Sequence, residues 1–132
     1  MVLVDTTIWI DLLRNRTTRQ TAILARLLEL GEAAVTPVIV QEILQGSRDE
    51  AAFQKLRAHF LAMPALGVSA PLMLADAAAR LYARARWSGV TPRSPHDCLI
   101  AAVAIAENVW LLSADADFTP LAAIEPKLRL VL

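Results

Sequence analysis

Five carboxylates in this 132-residue chain fall beside apolar runs, where a fold would bring their charges together. Asp5 directly follows the apolar triplet Val2-Leu3-Val4. Asp97 opens the apolar segment Cys98-Leu99-Ile100-Ala101-Ala102, and Asp115 and Asp117 come within five residues of another such run, 109–112. Glu42 lies within two helical turns of a third, 33–35, on a polar stripe with Gln41 and Gln45. Two unit charges ~5 Å apart at an effective dielectric of ~20 repel by ~3 kcal/mol. A converging set must therefore protonate, separate or take up a cation. No Lys or Arg adjoins Asp5, Asp97 or Asp115 in sequence, so a hard divalent ion, Mg²⁺ with Mn²⁺ as the alternative, is the simplest remedy. His59, His96 and Cys98 have no zinc-ligand spacing. A carboxylate-held cation suits phosphoryl chemistry, because it lowers the pKa of water and stabilises attacking and leaving oxygens. With four Gly, no Gly-rich phosphate loop and no Walker lysine, the chain does not read as an NTPase. Hydrolysis of a phosphodiester fits better. Each acid also has a bland role: Asp5 or Asp97 as a cap or turn residue, Asp115 and Asp117 in a turn, Glu42 on a solvated helix face.

The elements that must position these groups alternate. Residues 2–4, 33–35, 66–68, 109–112 and 128–132 read as short strands, the third and fifth the weakest. Between them, Thr7 is placed to cap a helix through Ile8 and Leu13. Ala22, Ile23, Leu27 and Leu30 recur at helical spacing before Gly31. Thr36-Pro37 opens a helix that stops near Gly46. Ser47-Arg48-Asp49-Glu50 is a capping-box pattern ahead of Phe53, Leu56, Phe60 and Leu61. Residues 69–87 are Ala-rich and helical, and Ser94-Pro95-His96-Asp97 starts a helix that is apolar all round and therefore central. Strands alternating with helices predict an α/β fold, a three-layer α/β/α sandwich around a mostly parallel sheet. In such sheets ligands bind beyond the carboxyl ends of the strands, where Asp5 falls.

The whole chain, 1–132, is the size of one domain. Its single cysteine excludes an internal disulfide framework and fits a reducing compartment. At 56% hydrophobic residues a membrane span has to be considered. The longest uncharged stretch, 58–75, carries Pro64, Gly67 and Pro71 and is a poor spanning helix. With no signal-peptide pattern at the N-terminus, the expected location is the cytoplasm.

Thirteen basic residues balance thirteen acidic ones, which on its face argues against a nucleic-acid partner. The distribution says otherwise. Arg14, Arg16, Arg19 and Arg26 lie in one acid-free stretch, and Arg80, Arg84, Arg86 and Arg93 in another. If five acids share a pocket, the rest of the chain carries thirteen positive charges against eight negative, a net of +5.

The segment Val2-Leu3-Val4-Asp5-Thr6-Thr7-Ile8-Trp9-Ile10-Asp11 resembles the opening of the PIN-domain nucleases, most closely the VapC-type toxins of toxin–antitoxin systems. Glu42-Ile43-Leu44-Gln45-Gly46 is similar to the family's second acidic block. Arg86, Gly89, Thr91, Arg93 and Ser94, leading into Asp97-Cys98-Leu99-Ile100-Ala101-Ala102, resemble its third. Leu111-Leu112-Ser113-Ala114-Asp115-Ala116-Asp117-Phe118 resembles the last. The resemblance implies a Mg²⁺- or Mn²⁺-dependent endoribonuclease, with tRNA among its substrates, a small VapB-type antitoxin as partner and a homodimer as the assembly. It implies Asp5, Asp97, Glu42, Asp115 and Asp117 as the acidic set, of which the first four are catalytic. Thr7 and Ser113 are supporting groups, and Arg86 and Arg93 are RNA contacts. Ala114 departs from the pattern, standing where the family often has a basic residue.

Two readings from other classes compete. A strand followed at once by Asp also opens the haloacid-dehalogenase-like phosphatases, but those want a second Asp two residues on, where Thr7 stands, and a downstream Lys. A non-enzymatic, metal-organised protein-binding module is the other. Cys98 reads as a packed helix residue, since a catalytic thiol needs an activating base nearby. Trp9, Trp87 and Trp110 read as core or interface anchors.

Overall fold

Three short apolar runs pair side by side and carry their polar successors to one edge. The structure, a computed structural model, describes residues 1–114 and 116–131, so Asp115 and Leu132 lie outside the described residues. Strand β1 (Val2–Val4) lies between β2 (Ala33–Ala34) and β3 (Trp110–Leu112), parallel to both. Leu3 is in register with Ala34 on one side and Leu111 on the other. Successive strand residues face opposite sides of a sheet. Leu3 and Val4 are both fully buried, as are Leu111 and Leu112, so both faces are covered. That is the expected layered α/β arrangement.

The described residues form seven helices: α1 (Thr6–Leu13), α2 (Arg19–Leu30), α3 (Pro37–Gln45), α4 (Glu50–Phe60), α5 (Pro71–Trp87), α6 (Pro95–Ala106) and α7 (Thr119–Ile124). Helix α6 is the central one. Cys98 and every residue from Ile100 to Ala104 are buried, as a segment apolar all round requires. Trp9 is a core anchor: its Nε1 donates to the Val4 carbonyl at 3.0 Å and its ring meets Phe60 edge-on at 5.1 Å. Trp87 is exposed, and Trp110 lies under the Arg129 guanidinium, 4.9 Å from the ring centre.

Several boundaries differ from the sequence expectation. Helix α1 begins two residues early, with extended Asp5 at its N-cap, so Thr7 sits inside the first turn. The cap of α4 is Asp49, whose carboxylate accepts from Ala52 N–H at 2.8 Å, while Ser47 donates to the Leu44 carbonyl behind it. A Thr18–Thr21 capping box starts α2. Helix α7 was not expected; Arg84 of α5 ties it down through Glu125 at 2.9 Å and the Ile124 carbonyl at 3.0 Å.

The expected strand at 66–68 is reduced to a single parallel bridge between Val35 and Ala65, and that at 128–132 to one between Leu111 and Leu130. Gly67 explains the former. Its φ of +73° lies outside strand geometry, and a Cβ there would stand 2.7 Å from Val103 Cγ2. Gly67→Ala therefore combines backbone strain with a core clash, and a loss of about 2 kcal/mol or more is expected in thermal or denaturant unfolding. A neutral result would mean that this crossover is not packed against α6.

Candidate active site

The end of β1 and the start of α6 supply the two most buried acids. Asp5 is 1% exposed and Asp97 3%. Asp5 is held by the chain itself: its N–H donates to the Leu112 carbonyl at 2.9 Å, which sets it beside the end of β3. Asp97 is the third residue of α6, behind Ser94, whose side chain caps the helix by accepting from His96 N–H at 3.1 Å. There the positive end of the helix dipole favours a carboxylate. Ser113, buried at the end of β3, donates to the Ala114 carbonyl at 3.3 Å.

Arg93 joins these acids. Its Nε and Nη2 donate to the two oxygens of Asp97 at 2.9 and 3.0 Å, and its Nη1 donates to Asp117 Oδ2 at 3.0 Å. The same Nη2 stands 3.9 Å from Asp5 Oδ2. Forked donation of this kind is the strong form of the Arg–carboxylate pair. Asp5 Oδ2 is nonetheless buried without a hydrogen-bond partner, the lone such side-chain atom among the described residues. Burial, and then the charge of Asp97, push the Asp5 carboxyl up to about 6, against the opposing pull of Arg93 and the Thr6 N–H. The same carboxylates hold the Arg93 proton more firmly, with the Asp97 hydrogen bonds first among the causes.

Glu42 reaches the other flank from α3. Its Oε1 accepts from Thr6 Oγ1 at 3.0 Å, and His96 Nδ1 lies 3.8 Å from its Oε2. Thr6 thus makes the contact expected of a helix-start hydroxyl, and not Thr7. Neither Thr6 nor His96 is given a site role by the sequence reading, although each adjoins an acid of the set. Asp115 lies outside the described residues. The RNA-contact expectation for Arg93 meets a side chain turned onto the carboxylates. Arg86 is exposed and donates to Thr91, in the loop between α5 and α6. The Cys98 thiol is buried and pushed up to about 11 by burial and by Asp97, so it is neutral and unreactive at pH 7, as expected.

The donor chemistry fits a hard divalent cation: all-oxygen acids, two of them deeply buried, with one oxygen lacking a hydrogen bond. As the side chains stand, no three His, Cys, Asp or Glu among the described residues are grouped to hold one, and the Arg93 guanidinium lies among the acids instead.

A parallel sheet that delivers acids from one strand end and one helix start to a common cluster is the plan of a known domain. The chain belongs to the PIN-domain family, whose model matches residues 2–124. Within it, the chain is similar to the VapC ribonucleases. It is 36% identical over 126 residues to ribonuclease VapC11 of Mycobacterium tuberculosis, covering 94% of this chain and 93% of that one. The VapC ribonuclease Mb1587 of Mycobacterium bovis matches to the same extent. Among solved structures the fold is shared with VapBC2 of Rickettsia felis (TM-score 0.75, 22% identity, 99% of this chain and 98% of that one). It is shared as well with VapBC-1 of nontypeable Haemophilus influenzae (TM-score 0.74, 18% identity, 99% and 97%).

Proposed function

We propose that this chain is the endoribonuclease toxin of a VapBC-type pair, hydrolysing RNA phosphodiesters with Mg²⁺ or Mn²⁺ held at Asp5 and Asp97. The observation that carries the reading is Asp5 Oδ2, a carboxylate oxygen buried beside a second buried acid and left without a hydrogen bond, with the Arg93 guanidinium no nearer than 3.9 Å. A buried carboxylate oxygen without a hydrogen bond is costly and persists where a ligand relieves it. The identity to VapC ribonucleases over nearly the full length supports the RNA substrate.

Asp5 and Asp97 would hold the cation, with Asp117 and Glu42 at the flanks and Asp115 as a further acid of the set. When bound, the cation supplies a lowered pKa for water and neutralisation of charge building on the phosphodiester oxygens. The chain's own part is positioning. Thr6 fixes Glu42, the Leu112 carbonyl fixes Asp5, and the first turn of α6 fixes Asp97. Above pH 6 Asp5 is ionised and its free oxygen is available as a ligand. The Arg-rich stretches of the chain would hold RNA by charge.

The partner is a VapB-type antitoxin, a reading supported by same-fold chains solved as toxin–antitoxin complexes. A homodimer and a cytoplasmic location complete the reading; no described helix is long and apolar enough to cross a membrane.

Incubating total RNA and purified tRNA with the protein in Mg²⁺, in Mn²⁺ and in excess EDTA tests the activity. Discrete cleavage with either ion and none with EDTA is expected. Cleavage undiminished by EDTA would refute the role given to the cation.

A further inference from the structure

Arg93 occupies a place that neither its sequence neighbours nor its expected RNA contact accounts for. It lies in the loop between α5 and α6 with its side chain 48% exposed, yet its guanidinium reaches three acids that are 2%, 5% and 23% exposed at the side chain. All its nitrogens are committed: two to Asp97, one to Asp117, and the same Nη2 at 3.9 Å from Asp5. Both oxygens of Asp97 are engaged, while the adjacent Asp5 Oδ2 gets charge proximity but no hydrogen bond.

We infer that Arg93 is the resident counter-cation of the acidic cluster, a positioning residue that gathers Asp97 and Asp117 when no metal is bound and must release Asp97 before a divalent cation is held. The inference rests on the metal reading above and goes beyond it. It makes cation affinity a competition inside the chain. One guanidinium delivers one positive charge to three carboxylates, so the cluster stays net negative and still favours a divalent ion. Arg93 is on a loop and half exposed, so its departure leaves the buried core around α6 in place. The fork geometry also explains why Arg stands here. A lysine would bring the same charge but only a point contact, and would hold Asp97 less firmly.

The test is calorimetric titration of Mn²⁺ into the whole chain without RNA, at one fixed pH, for wild type, Arg93→Gln and Arg93→Lys, with Asp5→Asn as control. Removing an internal competitor should tighten Mn²⁺ binding by about tenfold in Arg93→Gln, an effect of the usual size for coupling between two bound groups. Arg93→Lys should fall between it and wild type. The cation-free melting temperature should drop in Arg93→Gln, and Mn²⁺ should raise it by more than it raises that of wild type. Asp5→Asn should lose Mn²⁺ binding. Should Arg93→Gln fail to fold without cation, Arg93→Lys carries the comparison, with affinity a few-fold above wild type. Mn²⁺ bound equally or more weakly by the Arg93 variants than by wild type would overturn the inference and leave the metal site standing. No Mn²⁺ binding by any form would overturn the metal reading and the inference with it.

Discussion

Asp97→Asn is expected to cut RNA cleavage by about 10³-fold or more, some 4 kcal/mol of transition-state stabilisation. The amide keeps the size and planarity of the carboxylate at the third position of α6, and Asn is tolerated in a first helical turn. What it loses is charge. The two Arg93 donors then face one carbonyl and one amide where two carboxylate oxygens accepted them. The loss should lie in the chemical step and not in RNA binding, because the substitution removes none of the arginines proposed to attract RNA. Single-turnover cleavage with saturating enzyme separates the two. A variant that bound RNA normally and cleaved it at the wild-type rate would remove Asp97 from the site. The cost in stability should be modest, since Arg93 is half exposed and retains Asp117.

Asp5→Asn should lose activity in the same way and do the opposite to stability. The folded protein holds the Asp5 carboxyl at about 6, and unfolding returns it to its ordinary 3.8. The native state therefore binds that proton more tightly than the unfolded chain does. Raising the pH from about 4 through 6 withdraws stability from the cation-free protein, and above that window the deficit is about 3 kcal/mol. Below pH 4 the carboxyl is protonated in both states and the deficit vanishes. Asparagine has no such charge to bury. The variant should melt above wild type by roughly 3–10 °C at pH 8 without divalent cation, with the gap closing toward pH 4. Saturating Mn²⁺ should narrow the gap from the other side, by stabilising wild type alone. A variant less stable than wild type at pH 8, or a gap indifferent to pH, would show that burial of this charge is not the strain described.

Much of this site is legible in the sequence because it is local. Val2-Leu3-Val4 ending on Asp5 fixes that acid at a strand end, and Ser94-Pro95 ahead of Asp97 fixes the other in the first turn of a buried helix. Both depend on elements whose apolar pattern leaves little choice. What escapes is set by groups that meet across the fold. Thr6 reaches Glu42 across thirty-six residues, so nothing local distinguishes it from Thr7. Arg93 does carry a local signal, four residues before Asp97, but that spacing reads as a helix-surface pair, and only tertiary packing adds Asp117 and Asp5. The edge strands fail for a related reason. Leu66-Gly67-Val68 has the composition of a strand, but the close approach to Val103 demands a glycine at positive φ. Helix α7 had a signal in Pro120 near its start, yet six residues make it short for periodicity to reveal, and Arg84 secures it from a distance.

The central claim is that a buried Asp5 carboxylate, with one oxygen lacking a hydrogen bond, is retained for the cation chemistry of RNA hydrolysis and not for the fold. Its most direct test is single-turnover RNA cleavage by Asp5→Asn in Mg²⁺, on protein shown in the same buffer to be folded. The account predicts a variant at least as stable as wild type at pH 8 without divalent cation, and without measurable cleavage when Mg²⁺ is added. Cleavage at the wild-type rate by that folded variant would contradict it.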